Sequence, residues 1–145
     1  TFISSKEIDH SWFEFYFVMG IDEEYTVEDV KGFKDGAYEL INDDDKVVVK
    51  GFYLKENKIG LWVSYYYNQE VKVESNYTNN KKIDEKYLSL NNELFSGTFI
   101  FKNHNENIKE VRKIKDGLRN GKTSFIDIST DKVIKKEIYK NGIKK

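Results

Sequence analysis

A chain of 145 residues carrying a net charge of −1 is long enough to bury one core and has no strongly basic field for nucleic acid. An aromatic fraction of 15%, with 10 Tyr and 10 Phe, argues against disorder even though 34% of the residues are charged. Cysteine is absent, which excludes disulfides and thiolate metal sites, and proline is absent too, which leaves the turns to Gly, Asn and Asp.

Along the chain, the densest apolar run is Trp12–Met19, which carries Glu14 and reads as a strand. It falls far short of the roughly 18 apolar residues that span a bilayer, so no transmembrane segment is expected. A cytoplasmic location is the expectation, and export after loss of a leader is the alternative, since residue 1 is Thr rather than Met. Residues 10–33 read as a degenerate first unit with the acidic stretch 21–31 inserted. That stretch predicts one short helix near residues 22–31, capped by Asp22 or Thr26.

From Gly36 a frame repeats with a period of 24 residues. Each copy runs glycine, strand, polar turn, strand, and closes on a large apolar residue. Gly36 to Tyr53, Gly60 to Tyr77 and Gly97 to Ile114 each span 17 residues, and Gly121 to Tyr139 spans 18. Seven residues link Tyr53 to Gly60 and Ile114 to Gly121. Residues 84–96 interrupt the series as an insertion or a half-unit. The reading is therefore a single repeat domain over 1–145.

Two residues after the glycines stand Tyr38, Trp62, Phe99 and Thr123, while Val47-Val48-Val49, Val71-Lys72-Val73 and Val133-Ile134-Lys135 supply the second strands. β-branched and aromatic residues in period-two alternation mark strands with one buried face. A turn at Asn68-Gln69 would put Trp62, Ser64 and Tyr66 on one face with Val71, Val73 and Tyr77. Leu61, Val63, Tyr65 and Tyr67 would then share the other face with Lys72, Glu74 and Asn76. A lone hairpin is marginal in water, so stacked units must share the core. The expected fold is all-β, an elongated antiparallel meander of about ten strands.

Gly60-Leu61-Trp62-x-x-Tyr65-Tyr66-Tyr67-Asn68, Tyr77-Thr78-Asn79-Asn80, Asp116–Lys122 and Tyr139-Lys140-Asn141-Gly142 resemble the MORN repeat, and more narrowly its bacterial variant in YwqK-type antitoxin proteins. The likeness covers residues 36–80 and 97–145. It implies a non-catalytic protein-binding module, with an antitoxin or immunity role against a toxin as partner. It carries no catalytic residues and no cofactor.

Chemical motifs are sparse. His10 and His104, the two histidines, lack the companions a metal or a nucleophile would need. Asp43-Asp44-Asp45 lacks the alternating oxygen ligands, glycine and terminal glutamate of a calcium loop, and reads as a solvated turn. Gly117–Thr123 ends like a phosphate loop but lacks the first glycine, and the repeat accounts for it. No enzyme, metal or cofactor is expected. The lysines at 135, 136, 140, 144 and 145 read as a solvated edge. The candidate interface is Trp62, Tyr65, Tyr66 and Tyr67, of which the packed face claims some side chains and the opposite face frees Tyr65 or Tyr67. A carbohydrate- or cell-wall-binding module is the alternative, and a scaffold or membrane-associated module the third. A dimer through an edge or a bare face is compatible with an open sheet.

Overall fold

The computed structural model describes residues 25–32 and 35–145, so the strand expected over residues 12–19 and most of the degenerate unit at 10–33 lie outside the described residues. Among these residues the regular structure is β, apart from two three-residue 3-10 turns. No helix among the described residues is long and apolar enough to cross a membrane. The chain divides into two compact units, one ending at Glu85 and the other running Lys86–Lys145.

In the first unit, β1 (Gly36–Ile41), β2 (Val47–Leu54), β3 (Asn57–Tyr66), β4 (Val71–Thr78) and β5 (Lys81–Lys82) form an antiparallel meander in chain order. The second unit opens with β6 (Lys86–Ser89). Its meander follows as β7 (Gly97–Asn103), β8 (Ile108–Lys115), β9 (Leu118–Asp127), β10 (Val133–Lys140) and β11 (Ile143–Lys144), again in chain order. Each sheet is open, with no closed barrel among the described residues.

The spacing seen in the sequence is a pairing register. Each opening glycine stands opposite its own closing residue: Gly36 with Tyr53, Gly60 with Tyr77, Gly97 with Ile114, and Gly121 with Tyr139. The extra residue of the fourth copy is taken up by a register shift between Val133 and Lys135. After each closing residue comes one further pair and then a two-residue turn, at Lys55-Glu56, Asn79-Asn80, Asp116-Gly117 and Asn141-Gly142. Both residues of every one of these turns have positive φ, between 47° and 84°. That is the type I′ geometry, whose twist matches the strands it joins.

The link back to the next glycine is also shared. Lys50 pairs with Val63 but Phe52 pairs with Ile59, and Arg112 pairs with Thr123 but Ile114 with Arg119. Both registers therefore slip by two residues at the repeat glycine. Gly60 and Gly121 sit in these bulges at φ +64° and +104°, where a side chain would be strained and glycine is not.

The β3–β4 hairpin has the expected register, but Val63 and Lys72, expected on the open face, are buried as well. Tyr66 pairs with Val71 and Trp62 with Ser75, the register that a turn at Asn68-Gln69 requires. The loop itself is a 3-10 turn over Tyr67–Gln69, and its left-handed residue is Glu70 at φ 58°.

The first core lies where the two residue classes of the repeat meet. Tyr38 and Trp62, two after their glycines, are fully buried beside the closing residues Tyr53 and Tyr77. The Trp62 ring centroid lies 5.0 Å from Tyr53, 6.1 Å from Tyr38 and 6.3 Å from Tyr77. Edge-to-face packing of this kind adds to simple area burial. Residues 25–30 lie over the cluster, burying Tyr25, Val27 and Val30.

The short helix expected near 22–31 is, within the described residues, a 3-10 turn at Val27–Asp29. Thr26 caps it: its hydroxyl accepts from Glu28 N–H at 3.1 Å, and Asp29 returns a carboxylate to Thr26 N–H at 2.8 Å. Tyr53 Oη donates to Lys31 carbonyl at 2.8 Å, Tyr77 Oη to Glu28 at 3.3 Å, and Lys58 Nζ to the Val27 carbonyl.

In the second unit, Phe99, Thr123 and Ile114 take the corresponding positions and are buried. The segment 84–96, read as an insertion or half-unit, supplies Tyr87 to that core. Tyr87 is fully buried, 5.2 Å from the Phe99 ring. It is held by backbone bonds: Tyr87 N–H donates to Gly117 carbonyl, Phe95 N–H to Tyr87 carbonyl and Gly117 N–H to Phe95 carbonyl.

Candidate functional site

The four aromatic candidates divide by strand parity. Trp62 and Tyr66 are buried in the first unit, at 0% and 3% exposure, so they build the sheet rather than its surface. Tyr65 has the opposite strand parity, and Tyr67, in the loop and partly buried against the first core, stacks on it 5.8 Å away with planes only 9° from parallel. Lys50 lies over the Tyr65 ring and Lys46 over the Tyr67 ring, at 5.8 and 5.1 Å. Tyr67 Oη donates to the Val47 carbonyl, so the pair is fixed in place.

The same outward face is apolar beyond the tyrosines. Phe52, Leu54 and Leu61 are 54%, 50% and 47% exposed. Strand alternation puts Phe52 and Leu54 of β2 on the face that carries Leu61, Val63 and Tyr65 of β3. Scattered exposed leucines need no explanation, but several on neighbouring strands make a patch. On the same face the buried Lys72 pairs with Glu74 at 3.0 Å.

A second feature of the first unit was not visible in the sequence. Glu28, Val30, Lys31, Gly32, Lys58, Tyr77, Asn80 and Lys82 line a cleft of about 350 Å³. Lys58, in β3 just after the Lys55-Glu56 turn, is 8% exposed. Its Nζ lies 5.6 Å from the Trp62 ring and 5.7 Å from the Tyr77 ring. Burial pulls its ammonium down to about 8, against partial support from Glu28 and Asp29, with Lys31 and Lys82 adding to the depression. Burial would raise Glu28, yet Lys82 at 3.2 Å and the Thr26 bond bring its carboxyl below the ordinary range. Burial holds Asp29 above it.

The second unit keeps the cation and changes its surroundings. Arg119 occupies the place of Lys58 and lies 4.9 Å from the Tyr139 ring, as Lys58 does on Tyr77. Arg112 stands where the first unit has Gly51. Its guanidinium donates to Tyr87 Oη at 2.9 Å and to Glu110 at 3.1 Å, and lies 4.6 Å from the Phe101 ring. The chain's two arginines are thus side by side around Glu110, with Arg119 3.8 Å from the same carboxylate. Arginine suits this role because its planar cation stacks and bonds at once.

Among the other residues singled out by sequence, His10 lies outside the described residues, and His104 is exposed in a hairpin turn. Asp43, Asp44 and Asp45 are exposed at another turn, closed by Asn42, whose Oδ1 accepts from Asp44 and Lys46 N–H. Gly117 lies in a type I′ turn and Gly121 in a bulge. The lysines at 135 and 144 both pair with Glu137, at 3.0 and 2.8 Å. Hydrogen bonds from Lys144 and Lys135 hold the Glu137 carboxyl down at about 2. No family model, no curated protein and no solved structure matches the chain.

Proposed function

We propose that the chain is a non-catalytic protein-binding module of the antitoxin or immunity type, in keeping with its resemblance to the MORN-like YwqK repeat. The observation that carries the reading is the outward face of the first sheet. There Phe52, Leu54 and Leu61 stand about half exposed, and further along the same strands lies a stacked tyrosine pair whose rings are already fixed. Pre-ordered tyrosines give large contact area at low entropic cost, and apolar neighbours exclude water around them. Lys46 and Lys50 add cations at the patch, which favours a partner surface with an apolar centre and acidic groups at its edge. Such a module acts by occupying its partner and needs no chemistry of its own.

The glycan-binding alternative draws no support from Trp62, whose indole lies inside the core.

The test is co-expression with the products of adjacent genes, scored by co-purification and by rescue of growth where a product is toxic. Leu61→Lys and Tyr65→Ala should abolish rescue while leaving the far-UV circular dichroism and the cooperative urea transition intact. Rescue that survives both substitutions, or no binding to any neighbouring product, overturns the reading.

A further inference from the structure

The cleft under residues 27–32 has the makings of a reactive-amine site, and nothing in the protein-binding reading uses it. A lysine on a β-strand usually reaches solvent along its own stem. Lys58 instead runs inward past Trp62 and Tyr77, its amine ends at the Val27 carbonyl, and the residue is part of the cleft lining. The volume, about 350 Å³, suits a small molecule rather than a peptide. The charged residues lining it are Lys31, Lys58 and Lys82 against Glu28, so an anionic guest is favoured. Lys82 is already shared between Glu28 and Glu85, at 3.2 and 3.4 Å, which leaves Lys31 as the cation least committed within the lining. Val30 and the Tyr77 ring provide the apolar wall.

We propose that this cleft captures small carbonyl compounds bearing an anionic group, with Lys58 as the amine that bonds to them. In the step itself, the Nζ lone pair attacks the carbonyl carbon, a C–N bond forms, and the π electrons pass to oxygen. The oxygen then leaves as water with two protons taken from the nitrogen, and a C=N bond remains. No oxidant or second reactant is consumed. Glu28, beside the cleft and bonded to Tyr77 Oη, is placed to relay the protons. Before attack Lys58 gives up its bond to the Val27 carbonyl, and the neutral amine that attack requires is favoured by the same burial that depresses its protonation. Glu28 and Asp29 oppose that deprotonation; Lys31 and Lys82 assist it.

The experiment uses pyridoxal 5′-phosphate as an anionic aldehyde and pyridoxal as its neutral counterpart. Each is added below stoichiometry to the intact chain, trapped with borohydride and located by peptide mapping. Lys58 should be labelled at least tenfold faster than exposed lysines such as Lys140. Its rate should climb through pH 8, and pyridoxal should label it several-fold more slowly. Lys58→Arg, which keeps the charge and the packing, should lose the adduct with an unchanged dichroism spectrum, and Lys31→Gln should weaken labelling by the phosphate compound alone. Adducts spread over exposed lysines with Lys58 unlabelled overturn the proposal. Equal labelling by both aldehydes overturns its anionic part.

Discussion

The indole of Trp62 rests directly on the backbone of Gly51: a Cβ built at Gly51 would lie 2.0 Å from Trp62 Cδ2 and 2.2 Å from Cε2. In the second unit the same two positions hold Arg112 and Thr123, which are paired across the ladder. Large beside absent has become long beside small. The exchange keeps the space filled while replacing an aromatic plate with a guanidinium that needs Glu110 and Tyr87 as partners.

This relationship predicts that Gly51→Ala is nearly as damaging as losing the ring. Trp62→Ala should cost ~3–5 kcal/mol through the cavity it leaves. Gly51→Ala should cost at least ~2 kcal/mol, because the ring is enclosed and cannot retreat. The double variant should fall well short of the sum, since once the ring is gone the methyl has room. Urea unfolding of the four proteins checks this; additive losses would mean that the ring and glycine act independently.

Much of the fold could be read from the residues because the repeat is a register. A glycine and an aromatic 17 apart are what a hairpin with a short loop places opposite each other, and alternation then fixes Trp62 in and Tyr65 out. What stayed hidden depends on contacts distant in sequence. Lys58 shares the inward parity of Trp62 and pairs with Tyr53, but a lysine next to a turn reads as solvated, and its burial comes from residues 25–32 lying over the sheet. Tyr87 sits in a stretch with no repeat frame, so nothing marked it as core. One signal was present and unused: polar residues precede three of the glycines. Asp35 accepts from the N–H groups of Lys55 and Glu56, Ser96 from Asp116 and Asn120 from Asn141, each closing a type I′ turn about 20 residues on. Before Gly60 that residue is Ile59, and Asn80 accepts from Lys58 N–H instead.

The turn Lys55-Glu56 meets a left-handed requirement with two residues poorly suited to it, at φ 51° and 66°. Its counterparts use Asn-Asn, Asp-Gly and Asn-Gly. Converting it to an Asn-Gly pair through Lys55→Asn and Glu56→Gly together should therefore stabilise the first unit by ~1 kcal/mol, as left-handed backbone costs ordinary residues about 1–2 kcal/mol each. A rise in the urea midpoint is the expected reading.

The bulge glycines should differ in what they tolerate. Gly60 at φ +64° has nothing within 4 Å of a would-be Cβ, and its angle is one that asparagine adopts. Gly60→Asn should cost less than ~1 kcal/mol. Gly121 at φ +104° lies beyond the usual left-handed well, with Lys113 Cβ at 3.5 Å. Gly121→Asn should cost clearly more, ~2 kcal/mol. Thermal unfolding of the two variants would reveal the asymmetry, and equal losses would contradict it.

Thr123 completes the comparison with Trp62. Its side chain is buried, and its Oγ1 has no hydrogen-bond partner among the described residues. A buried, unsatisfied hydroxyl carries its desolvation penalty without return. Thr123→Val keeps the shape and removes that penalty, so it should stabilise the second unit by ~1 kcal/mol. A loss of stability would show that the hydroxyl is engaged.

The first unit should also show an unusual alkaline stability profile. Lys58 titrates at about 8 when folded and at 10.5 when unfolded. Between those values the unfolded chain binds more protons, so stability rises with pH, by at most ~3 kcal/mol over the whole interval. Burial pushes Tyr38, Tyr53 and Tyr77 well above their ordinary value of 10.0. Above pH 10 the unfolded chain therefore loses tyrosine protons that the folded chain keeps, and stability falls. The two effects place a maximum near pH 10, where most proteins are already weakening. Urea midpoints followed by near-ultraviolet dichroism, from pH 7 to 11, should trace the rise and the turnover. In Lys58→Met the rise should vanish and the decline above pH 10 remain. A wild-type profile flat from 8 to 10 would mean that the amine keeps its proton in the folded protein.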